Sequence, residues 1–252
     1  MSVPALVNLL FTTLTSIVMI EHLPAFIPFC FALTTFLSVW FFSLAARHHR
    51  LFLGVVIAWM VLQGVMGLSK FYLQTHTTPP RVALMGIPPL VMIALMFLAP
   101  AGRKFTDNLD PKWLTLLHTV RIPVELVLLG LYLYAQVPRL MTFEGRNFDI
   151  IAGLSAPFIA YYGYVRRQLG RTALLWWNFI CLALLLNIVT SAILSLPFAY
   201  QRLGFEQPNV AILYFPFVWL PSVIVPLVMY AHLAAIRQLL YAQPVYRSAG
   251  RG

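Results

Sequence analysis

Eight long apolar runs dominate this chain, at about residues 4–20, 24–46, 51–75, 82–99, 113–136, 148–165, 172–197 and 210–236. A helix that crosses a bilayer needs about 20 apolar residues. In hydrocarbon every backbone N–H and C=O must be satisfied within the element, which leaves helices or closed barrels. These runs are too long for barrel strands and lack the in/out alternation that barrels show. The expectation is therefore an all-α polytopic integral membrane protein, a bundle of eight transmembrane helices. It reads as a single transmembrane domain over 1–252, with 237–252 as a short cytoplasmic tail. The first run is the weakest, because only Glu21-His22-Leu23-Pro24 separates it from the second. Seven helices with a re-entrant first segment is the alternative. Composition agrees: the chain is 61% hydrophobic and 10% charged, against about 45–50% and about 25% in soluble domains.

The formal charge of +10 raises the question of nucleic acid, and the placement of the basic residues answers it. Arg47 and Arg50 follow the second run. Arg103, Lys104 and Lys112 follow the fourth, Arg166, Arg167 and Arg171 the sixth, and Arg237, Arg247 and Arg251 the last. The opposite loops hold fewer, and Glu21, Glu144, Asp149 and Glu206 balance them. This asymmetry is the positive-inside pattern. It predicts a plasma or inner membrane location with both termini cytoplasmic, the lipid bilayer as partner, and no nucleic-acid role. No Lys or Arg precedes the first run, so it reads as a retained helix and not a cleaved leader. Cys30 and Cys181 lie inside apolar runs and form no CxxC, so they read as small core residues.

Small residues four apart, Gly54 with Ala58 and Ala152 with Ala156 and Ala160, suggest close helix contacts. A parallel 4+4 repeat is also suggested. Residues 80–88 and 208–216 share four of nine positions, which would place the second to fourth helices over the sixth to eighth, with Pro88 over Pro216. Parallel repeats of this kind occur in transporters.

Ionisable residues in mid-membrane are expensive, and the fifth run carries them. His118, Arg121 and Glu125 have offsets of 0, 3 and 7 and share one helical stripe. Counted from Trp113, Arg121 lies about 12 Å deep and Glu125 about 18 Å. A direct Arg121–Glu125 pair is expected, or one bridged by a residue from another helix. Pro123 between them frees the Thr119 carbonyl, which asks for water or a polar partner. Gln63 and Asn187, mid-span amides, are candidate lining residues of the same cavity, with bonding across helices as the alternative. The polar stretch Val137–Asp149 reads as an outer loop, with Glu144, Arg146 and Asp149 as a candidate gate and Asn147 as a candidate N-cap. Pro88-Pro89 is expected to break the fourth helix, and Pro216, Pro221 and Pro226 to interrupt the eighth.

No metal is expected, because His22 and His76 near Glu21 lack ligand spacing. Haem held by His118 and His232 would need the two rings facing each other and is not expected either. There is no G-x-S-x-G, H-E-x-x-H or P-loop. The first expectation is thus a small-solute transporter or channel with a mid-membrane polar site. The alternatives are a membrane-embedded enzyme acting on a lipid-like substrate, with His118 as acid/base, and an accessory subunit.

Overall fold

A computed structural model describes Ile20 and residues 23–241. The first apolar run up to residue 19, Glu21 with His22, and the tail beyond Tyr241 lie outside the described residues. Among those described there are eight helices of 8 residues or more, besides three short 3₁₀ turns between them, and no strand. They are α1 Phe26–Ala45, α2 Arg50–Leu68, α3 Ala83–Leu98, α4 Pro100–Asp107, α5 Pro111–Leu133, α6 Ile150–Val165, α7 Arg171–Leu194 and α8 Leu220–Tyr241. Five of them (α1, α2, α5, α7 and α8) are long and apolar enough to cross a membrane; α3 with α4 makes a sixth if that bent pair counts as one span.

α5 and α8 form the centre, with 61% and 67% of their apolar windows buried, against 22% for α2 and for α7. α8 touches α1, α3, α4, α5 and α7, and α5 lies between α1 and α6. The basic turns gather at one end of the bundle. There the Asp110 N–H donates to the Ala45 carbonyl (2.9 Å), Arg237 pairs with Asp107 (2.7 Å), and Arg171 donates to the Leu240 carbonyl (3.0 Å).

The prolines behave differently from the sequence expectation. Pro88 and Pro89 lie inside a continuous α3. Pro88 cannot donate to the carbonyl of Leu84 four residues back, and the Gln63 amide donates to that carbonyl instead (3.4 Å). The break comes later, where α4 leaves α3 at 89°. Ala99 there is extended, as a residue preceding a proline prefers. Pro226 frees the Ser222 carbonyl in the same way, and the Trp59 indole donates to it (2.9 Å). α8 starts ten residues later than its apolar run. Before it, Val210 and Ala211 donate to the Gln136 carbonyl (3.0 and 3.1 Å), and Pro216 lies outside the helix while Pro221 sits in a π-helical turn, Leu220–Ile224. Pro88 and Pro216 therefore occupy different backbone, and the parallel repeat gains no support. Gly54 and Ala58 face outward, and nothing lies within 4 Å of a side chain built at Gly54. The close approach on α2 is instead at Gly64 and Gly67, against Trp219 and Val218. Ala152, Ala156 and Ala160 are buried, as helix-contact residues should be.

Candidate functional site

α5 turns its polar stripe inward. His118, Arg121 and Glu125 are all almost completely buried. Pro123 is accommodated by a 3₁₀ turn at His118–Val120, where the Thr119 carbonyl accepts from a cap backbone N–H and not from a polar side chain.

α6 runs back along the first half of α5. A side chain at Gly153 would meet Ile122 at 2.9 Å and the Arg121 Cβ at 3.3 Å, so glycine there sets the two helices in close contact. The N-terminus of α6 consequently sits level with Arg121 and Glu125, at the middle of α5. The segment leading to it folds in from the end of α5. Its tight return brings Gly145 against Arg139, where any side chain would clash with the Arg139 carbonyl. The stretch expected to be an outer loop thus delivers its last residues to the bundle interior. Glu144 and Arg146 remain exposed, but Asp149 is buried, so the three do not form one gate.

Arg121 pairs with Asp149 and not with Glu125: its Nη1 lies 2.7 Å from Asp149 Oδ1, with both side chains almost fully buried. Nη1 also donates to the Cys181 carbonyl (3.3 Å). Nη2 donates to His232 Nε2 (3.1 Å). His232 Nδ1 donates in turn to the Asn178 Oδ1 (2.9 Å). A guanidinium only donates and an amide oxygen only accepts, so these two contacts assign His232 as the neutral Nδ1–H tautomer.

Asn147 closes the other side. Its Nδ2 donates to Glu125 Oε1 and to the Met141 carbonyl (3.0 Å), and its Oδ1 accepts from the Asp149 N–H (3.0 Å). Asp149 occupies the N-cap position of α6 but caps nothing, since its carboxylate is engaged by Arg121. The backbone N–H of Asp149 at the start of the helix is instead satisfied by Asn147, the residue expected to cap it. Arg121 and Glu125 are linked only through Asp149 and Asn147, a bridge of two residues where the sequence suggested a direct pair or one partner.

The stack of His118 on His232, with ring centroids at 3.8 Å and planes at 13°, leaves no room for a haem between the rings. Trp177 packs edge-on against His118. Among the described residues, no group of three His, Cys, Asp or Glu could hold a metal. Gln63 lies away from this cluster. It accepts from the Tyr72 hydroxyl (2.7 Å) and serves the carbonyl freed by Pro88. Burial pushes the Tyr72 hydroxyl up to about 12, so it stays a neutral donor. Asn187 is exposed and donates to the Arg146 carbonyl (3.0 Å), tying α7 to the folded-in segment. Neither amide lines the cavity. Asn178, and His232 in a new role, join the site instead. Sequence offered no signal for Asn178, a single amide in a long apolar run.

A cavity of about 400 Å³ opens onto this cluster, within the range of about 300–1,000 Å³ usual for ligand pockets. α3 walls one side through Met85 and Leu90, and α7 the other through Leu185 and Ile193. α3 and α7 each pack on α8, whose π-helical turn lines the cavity along with α5. The lining is almost wholly apolar except where Arg121, Glu125 and Asp149 meet it. Its rim includes Ile87, Leu90 and Ile193, large apolar side chains that are substantially exposed on the flank of the bundle. The cavity is therefore a cleft open between helices.

Residues 79–240 match the model of a family described as a domain of unknown function (DUF8737), and the chain belongs to that family. The match spans α3 to α8 and contains every residue of the buried polar cluster. No curated protein and no solved structure matches.

Proposed function

We propose that this member of the DUF8737 family is a multi-pass membrane protein that takes a lipid-like molecule into a lateral cleft, polar end first. Its topology in this reading has eight spans, with the basic end of the bundle and both termini in the cytoplasm of a plasma or inner membrane. One observation carries the reading. The cavity is walled by apolar side chains of α3 and α7, has an exposed apolar rim, and ends on Arg121, Glu125 and Asp149. A molecule with an apolar body reaches such a site from the hydrocarbon, and the cluster would meet its head. Membrane-interior ionisable residues that face a cavity mark sites where polar groups are handled.

A permeation path for a small solute is the second reading. The π-helical turn of α8 at Leu220–Ile224 favours it, since irregular backbone at membrane depth is tolerated where it faces a cavity. Transport needs water at one end of the cleft, whereas lateral entry does not. A nitroxide placed at Ile193, in a background with Cys30→Ser and Cys181→Ala, separates the two in lipid nanodiscs. Lateral entry predicts that its relaxation is enhanced by oxygen, which dissolves in hydrocarbon, and not by a water-soluble nickel chelate. Greater enhancement by the nickel chelate would replace the lipid cleft with an aqueous path.

A further inference from the structure

Arg121, Glu125 and Asp149 are the charged residues that line the cleft, and their bonding bears on the head it would take. A buried arginine suits an anion, but both Nη atoms of Arg121 are engaged, by Asp149 and the Cys181 carbonyl on one side and by His232 on the other. Asp149 already balances its charge, and Glu125 adds a second carboxyl group to the same wall. A phosphate or carboxylate head would meet two acids and one occupied guanidinium.

Two buried polar atoms on the cleft-lining residues of α5 have no hydrogen-bond partner, Arg121 Nε and Glu125 Oε2. Arg121 Nε is a donor and Glu125 Oε2, in the ionised carboxylate, an acceptor, and residues four apart on a helix are neighbours on one face. Leaving such atoms buried and unpaired is costly. A hydroxyl satisfies both, accepting from Arg121 Nε–H and donating its proton to Glu125 Oε2. A carboxylate or phosphate monoester cannot do so, because it offers Glu125 only another acceptor. An ammonium can donate to Glu125 but has no lone pair to accept from Arg121 Nε–H, and it would leave that donor unpaired. Resting on the lateral-cleft reading, we propose that the cleft binds an uncharged long-chain alcohol, its hydroxyl held between Arg121 and Glu125 and its chain lying between α3 and α7.

The experiment uses the full chain in nanodiscs and three diazirine-bearing probes of equal chain length: a hexadecanol, a hexadecanoic acid and a hexadecyl phosphate. The alcohol is expected to crosslink to cleft residues such as Met85 and Leu185 about tenfold more efficiently than either anion, the worth of one charge-assisted hydrogen bond. Val189→Trp, which fills the cleft from α7, should abolish that labelling. Glu125→Gln makes the sharper test. Its amide oxygen stays with Asn147, and its nitrogen takes the place of Oε2, turning the acceptor into a donor beside Arg121 Nε. The variant should lose alcohol labelling about tenfold and gain the hexadecanoic acid. Better labelling by an anion in the original chain, or an alcohol preference untouched by Glu125→Gln, overturns the head-group assignment and leaves the cleft standing. Failure of all three probes to label the cleft, or labelling that survives Val189→Trp, overturns the lateral cleft itself.

Discussion

Replacing Asp149 with Asn should destabilise the protein far more than replacing Glu125 with Gln, although both changes turn one carboxyl group of the same cluster into an amide. Arg121 Nη1 and Asp149 Oδ1 are 2.7 Å apart with both side chains almost fully buried. At an effective dielectric of about 20, their attraction is about 6 kcal/mol before desolvation is counted. Removing one partner of a buried pair leaves the other charge uncompensated and costs about 3–5 kcal/mol. A change of 1 kcal/mol moves the melting point of a domain this size by about 2–4 °C, so Asp149→Asn should lower it by about 6–20 °C. Glu125 is held by Asn147 and leaves Oε2 without a partner. Gln keeps an oxygen for Asn147, so its cost should stay near 1 kcal/mol. Thermal melting followed by tryptophan fluorescence in nanodiscs measures both. The double change Arg121→Met with Asp149→Leu should recover most of the loss, as apolar replacement of buried pairs does. Equal costs for the two single changes, or a larger one for Glu125→Gln, would refute the Arg121–Asp149 pairing and make Glu125 the working counter-ion of Arg121.

Two further outcomes follow from the packing. Gly153→Ala should lower stability by about 1–3 kcal/mol, because its methyl group meets Ile122 and Arg121 on α5, whereas Gly54→Ala, with open space around it, should be neutral or slightly stabilising; melting curves of the two variants check the contrast, and equal effects would refute it. Trp59→Phe should cost about 1 kcal/mol by leaving the Ser222 carbonyl without its indole donor, and Pro226→Ala should make the same change nearly silent by supplying a backbone N–H; a full cost in both backgrounds would show that proline is not what makes that carbonyl depend on Trp59.

The sequence alone determined the helical class and the asymmetry of charge, because both depend on local quantities: the length of apolar runs and the signs of the turns between them. It also placed His118, Arg121 and Glu125 on one inward stripe, since the α-helical period relates residues seven apart without any tertiary information. The runs from 24–46 to 172–197 correspond to helices in the structure, with ends displaced where proline or a competing bond intervenes. What sequence could not decide was partnership. Asp149 reads as an ordinary first-turn acid, and only the close approach at Gly153 brings it level with Arg121, 28 residues earlier. Gln63 and Trp59 look like polar guests in an apolar helix, yet each serves a carbonyl freed by a proline on another helix. Asn178 and His232 meet only because α7 and α8 pack together. The stripe is a property of one helix, but the identity of a buried charge's partner depends on which helices touch and at what level. That is settled by packing between segments distant in the chain.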